Sequence, residues 1–112
     1  MKVYKVCSAT HWQAAKASGI FTGVSIDIQD GYIHFSTADQ LAKTLSLHFA
    51  GQTDLVLLSV ETDKIGTDIK WEPSRGGALF PHLYADLPLE AVVAEHALRV
   101  DGAGTFILPE GM

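Results

Sequence analysis

The sequence predicts an α+β domain with a mixed or mostly antiparallel sheet and one main helix. Three observations point there. Five or six short stretches carry either the two-residue alternation or the unbroken apolar run of a strand, and they cluster in the C-terminal half. One stretch, about Thr37 to Ala50, repeats its apolar residues at solid helical spacing. A chain of 112 residues supplies one core and not two, so residues 1–112 read as a single domain.

Val3 to Cys7 reads as the first strand. Thr10 is placed to cap a short helix that turns Trp12 and Ala15 inward and ends near Gly19, with His11 exposed in its first turn. Ile20 to Gln29 is a long connection, in which alternating Ile26 and Ile28 leave room for a short edge strand. Asp30-Gly31 signals a turn. Tyr32, Ile33 and Phe35 then favour an extended, half-buried backbone around His34. The period changes after Phe35. Ala38, Leu41, Ala42, Leu45 and Phe49 share one helical face, Ser36 and Asp39 have the form of a capping box, and Gly51 suits the C-cap. Leu55 to Val60 is continuously apolar, as in a strand covered on both faces. Ile69 to Glu72 alternates and Pro73 ends it. Pro73 to Pro88 reads as one long loop. Val92 to Val100 alternates again, with His96 on the apolar face as a core histidine and Glu95 facing outward. Asp101-Gly102 turns a hairpin into a last strand, Thr105 to Leu108.

The chain is 47% apolar and 19% charged, the balance of an ordinary globular protein. Its formal charge of −5 argues against broad nucleic-acid or anionic-membrane binding. The single cysteine, Cys7, sits in an apolar strand and reads as buried and inert. No apolar run approaches a membrane span, and Lys2 is followed by no leader-like apolar segment, so the cytoplasm is the expected compartment.

Two stretches carry chemistry. The first is Gly31-Tyr32-Ile33-His34-Phe35-Ser36-Thr37. A helix start offers unpaired N–H groups and the positive end of the helix dipole, which suit phosphate, and His34 stands just before it. Ser36 and Thr37 are therefore candidate ligand contacts. On the blander reading Ser36 only caps the helix and His34 is a satisfied core histidine. The second is Trp71-Glu72-Pro73-Ser74-Arg75-Gly76-Gly77-Ala78-Leu79-Phe80-Pro81-His82-Leu83-Tyr84. Arg75 suits bidentate recognition of phosphate, and Ser74, Gly76 and Gly77 let backbone approach a ligand. His82, Tyr84 and Glu72 can exchange protons or hydrogen bonds, and Trp71 can wall a flat ring. Alternatively Trp71 is core and Glu72–Arg75 a surface ion pair worth ~0–1 kcal/mol. His34, His48 and His82 lack the spacing of a metal site, so no metal is expected.

These two motifs, with His48-Phe49-Ala50-Gly51, closely resemble a family of small bacterial proteins classed as domain of unknown function 952, over nearly the full length. The resemblance implies membership of the ADP-ribosyltransferase-like superfamily, with a split, strand-rich sheet and an NAD-binding cleft. It implies that His34 holds the nicotinamide ribose and that Tyr84 or His82 packs on the nicotinamide. The late-strand glutamate that many such transferases use has no motif match here, Glu95 included. Three functions follow as expectations. The first is an ADP-ribosyltransferase-type protein with NAD as possible co-substrate. The second is a non-catalytic module for a small anionic metabolite. The third is an accessory protein-interaction domain.

Overall fold

The computed structural model describes residues 1–74 and 77–110. β1 (Lys2–Ser8) runs antiparallel to β4 (Leu55–Glu61), and β4 pairs on its other edge with β8 (Val92–Ala97). Both faces of β4 are covered, which is why its sequence is an unbroken apolar run. Leu55 and Leu57 pack with Tyr4, Val6 and the α3 (Ala38–His48) residues Leu41 and Leu45. Leu58 and Val60 pack on the other side with Trp12 and Ala15 of α1 (Ala9–Ser18). Leu57 and Leu58 are fully buried, each contributing about 1.5–3 kcal/mol by leaving water.

A second sheet has the order β3 (Ile33–His34), β6 (Ala78–Leu83), β5 (Ile69–Ser74), antiparallel throughout. The two sheets meet at an isolated bridge. The Tyr4 N–H donates to the Ser36 carbonyl at 2.8 Å, and the Ser36 N–H donates back at 2.9 Å. Smaller antiparallel pairs join β2 (Ile20–Phe21) to β7 (Leu87–Pro88), and β9 (Arg99–Val100) to β10 (Phe106–Ile107). The α+β class and the antiparallel pairing agree with the sequence reading. No helix among the described residues is long and apolar enough to cross a membrane.

Several local expectations are corrected. Pro73 does not end its strand, and the segment after it is no loop: β5 continues through Pro73, and β6 folds back on it. The two prolines are tolerated because of their ladder positions. Phe35 N–H donates to the Pro81 carbonyl at 3.0 Å, so the Pro81 backbone faces β3. Bonds between β5 and β6 pass through the alternate pairs, Lys70 with His82 and Glu72 with Phe80, and neither proline removes one.

The connection from Ile20 holds a helix, α2 (Ser25–Asp30), on which Ile26 and Ile28 are exposed. Asp27 starts it by accepting from Val24 N–H at 2.8 Å. Ser8, not Thr10, caps α1, accepting from His11 N–H. Thr37, not Ser36, precedes α3, and its N–H donates to Gln40 Oε1 at 3.0 Å. Phe49, not Gly51, stands at its C-cap. His96 is exposed rather than core, because β8 is an edge strand that outruns the apolar cluster.

Candidate functional site

The period of two divides the β3–β6–β5 sheet into unlike faces. Ile33, Leu83 and Ile69 turn to the core. His34 and His82 are direct cross-strand partners on the opposite face, with Lys70 beside His82 and Glu72 beside Phe80. The His34 and His82 ring centroids lie 5.4 Å apart. Tyr32 stacks on His82 at 4.2 Å and also meets His34 and Tyr84.

Both histidines are tied to carboxylates. His82 Nδ1 donates to Glu72 Oε1 at 2.9 Å, and the Tyr84 hydroxyl donates to the same oxygen at 2.6 Å. Those two bonds, Tyr84's the stronger, hold Glu72 below its ordinary range. The same bond, with burial and the Glu72 charge, pushes Tyr84 up to about 12. His34 Nδ1 donates to Asp27 Oδ1 at 2.7 Å, and its Nε2 lies 3.0 Å from Asp30 Oδ2.

Asp27 is the anchor. It is 2% exposed and also accepts from the His34 N–H. Its Oδ2 lies 2.8 Å from Lys5 Nζ, and Lys5 is itself buried. Burial pushes Asp27 up. The His34 bond, the Lys5 charge and the Val24 N–H outweigh it and bring Asp27 to about 2. Burial lowers Lys5, against the pull of Asp27.

The sheets diverge past the Tyr4–Ser36 bridge, and a cavity of about 700 Å³ opens along the edge of β1. Its walls include Lys5, Val6, Asp30, His34 and His82. His11 and His48 also reach it, from α1 and the end of α3. Cys7 reaches it too, but burial pushes its thiol up to about 11, far from a reactive thiolate.

Of the residues singled out from sequence, His34, His82, Ser36 and Ser74 reach this cavity. Glu72 and Tyr84 join them through His82. Ser36 is buried, its hydroxyl in a hydrogen bond with Thr44 Oγ1 at 3.0 Å. The Thr37 N–H donates to Gln40 Oε1 and is not available to a ligand. Trp71 is neither core nor cavity wall: it lies on the other face of β5, 38% exposed. Gly77 takes φ +87° between β5 and β6, a conformation that favours glycine. Arg75 and Gly76 lie outside the described residues. No metal-type cluster of three side chains forms among the described residues.

Sequence reasoning missed Lys5, Asp27 and Asp30. A lysine inside an apolar strand was the available signal, since a buried ammonium requires a partner. Nothing local marked Asp27 as that partner.

Comparison with known proteins is consistent with this frame. No curated protein matches the chain. The crystal structure of protein CC0527 from Caulobacter crescentus is 46% identical, with TM-score 0.91, covering 96% of this chain and 94% of that one. The solution structure of the same protein is 47% identical, with TM-score 0.83, over 93% and 90% of the two chains. The model of the family described as "Protein of unknown function (DUF952)" matches residues 6–95, most of the length. The chain belongs to that family.

Proposed function

We propose that the cavity binds NAD or a related ADP-ribose-bearing nucleotide, and that the chain is an ADP-ribosyltransferase-type protein. The observation that carries this reading is the open edge of β1. Tyr4 turns its N–H and C=O toward Ser36. Alternation sends those of Lys5 to β4 and those of Val6 back toward the cavity. Among the described residues no strand lies beside Val6 on that side. Val6 is 5% exposed, and a buried donor and acceptor side by side call for a partner. A primary carboxamide, the group nicotinamide carries, offers the complementary acceptor and donor.

His34 stands on the facing wall and suits a ribose hydroxyl. The volume lies within the roughly 300–1,000 Å³ of small-molecule sites. In transfer, the bond between nicotinamide and ribose C1′ breaks, its electron pair leaving with nicotinamide. The acceptor's lone pair forms the new bond at C1′, and the acceptor's proton passes to a base. His82, held through Nδ1 by Glu72, suits that last role.

A second reading is binding without turnover. It is favoured by Glu72, whose Oε1 is engaged twice and which is absent from the cavity wall.

A thermal-shift titration with NAD and ADP-ribose tests binding. At one hundred times its dissociation constant a ligand stabilises by ~2.7 kcal/mol, a shift on the order of 10 °C for a domain of this size. The shift is expected to vanish in His34→Ala. A folded wild type that shifts with neither ligand rejects the nucleotide reading. Release of free nicotinamide, lost in His82→Ala, separates the transferase from the binding module.

A further inference from the structure

We propose that Asp30 makes the His34 end of the cavity selective for a neutral hydroxyl pair, the vicinal diol of a ribose, and closes it to phosphate. This deepens the nucleotide reading and rests on it for the identity of the sugar.

Behind His34, Lys5 is claimed by both Asp27 oxygens, at 3.0 and 2.8 Å. The Thr37 N–H is bonded to Gln40 and is not left to hold an anion, and the Ser36 hydroxyl is shared with Thr44. Each nitrogen of His34 faces a carboxylate oxygen: Nδ1 faces Asp27 in the interior and Nε2 faces Asp30 at the cavity. A phosphate approaching Nε2 meets the Asp30 carboxylate, a like charge at contact distance. A hydroxyl does not. With Nδ1 donating to Asp27, Nε2 of the neutral ring is an acceptor, so one hydroxyl of a diol donates to Nε2 and the other donates to Asp30. Acidic side chains read ribose diols in dinucleotide sites for the same reason.

The two carboxylates are held unequally. Asp27 is clamped by Lys5, Val24 and His34 and is almost fully buried. Asp30 stands at the end of α2 with 36% of its side chain exposed, and its side-chain bond is to His34. Asp27 therefore fixes the ring, while Asp30 is free to admit a hydroxyl between itself and Nε2.

The test follows the His34 ring signals by NMR while inorganic phosphate, and separately ADP-ribose, is added to the wild type and to Asp30→Asn. Phosphate is expected to leave the wild-type ring unmoved, and ADP-ribose to shift it. Asp30→Asn is expected to weaken ADP-ribose about tenfold or more, as loss of a charge-assisted hydrogen bond does, and to gain a phosphate-dependent shift of the ring. A saturable phosphate shift in the wild type overturns the proposal. So does an Asp30→Asn variant that keeps full ADP-ribose affinity while His34→Ala loses it. If ADP-ribose binds neither protein, the nucleotide reading falls. The phosphate arm then decides alone: a shift gained only in Asp30→Asn upholds the selectivity, and its absence overturns it.

Discussion

Lys5 and Asp27 form a buried ion pair, Nζ to Oδ2 2.8 Å, directly behind the ring of His34. The pair couples the core to the candidate site, since the carboxylate that neutralises Lys5 also orients His34. Removing one partner strands the other charge in the interior, at a cost of about 3–5 kcal/mol. Asp27→Ala is therefore expected to lower the urea midpoint by that free energy. The double replacement Lys5→Met with Asp27→Leu is expected to recover most of it, because neither charge remains. Equal losses in the single and double variants would show that packing, not charge, sets the cost.

Asp27 also sets an acid limit. Its folded-state pKa of about 2 lies below the ordinary carboxylate value. A depressed carboxylate contributes stability that is complete above the unfolded-state value and is lost as pH falls through the folded one. The window is thus about pH 4 down to about pH 2, and the loss is on the order of 2 kcal/mol. Unfolding free energies measured across that window should fall more steeply for wild type than for Asp27→Asn, which has no proton to take up there. Parallel curves would remove Asp27 as the source.

Much of this frame was legible in the sequence, and the illegible parts have identifiable causes. β4 and α3 declare themselves because each buries side chains at the period of its own backbone. β6 hid because Pro81 is a poor strand residue by propensity, and only the pairing shows that its missing N–H points toward β3 and leaves the β5–β6 bonds intact. α2 hid because it is short, and its inward residue is an aspartate rather than an apolar side chain. The strand carrying His34 and the segment carrying His82 could each be found from residue type. Their pairing could not, since nothing local fixes a register between strands so far apart in sequence. Nor could the sequence show that the side chains of Gln40 and Thr44, one and two turns on, bond the Thr37 N–H and the Ser36 hydroxyl at the start of α3.

The Glu72 carboxylate offers a check that needs no ligand. The Tyr84 hydroxyl is raised to about 12 mainly because it donates to ionised Glu72. In Glu72→Gln that acceptor loses its charge, and Tyr84 is expected to ionise closer to an ordinary tyrosine. Spectrophotometric titration of Glu72→Gln against wild type measures this, with Tyr84→Phe identifying the transition. An unmoved transition would mean that Tyr84 does not depend on Glu72 in solution. His82 would then need another group to hold its Nδ1.

Gly23 is the position where one added carbon tests the whole chain of support. Its backbone stands at φ +105°, and a Cβ there would meet the Asp27 Cβ at 2.7 Å. Neither strain can relax cheaply, because Asp27 is clamped by Lys5, the Val24 N–H and His34. Gly23→Ala is expected to lose on the order of 2 kcal/mol from backbone strain alone. More tellingly, it should displace the carboxylate that holds His34. The expected signature is a shift of the His34 ring resonances in a protein that still folds cooperatively, with ligand affinity falling further than in a surface variant of equal stability. Lost stability with unmoved His34 resonances would mean that the ring keeps its place without Asp27. The role of the anchor would then pass to Asp30 alone.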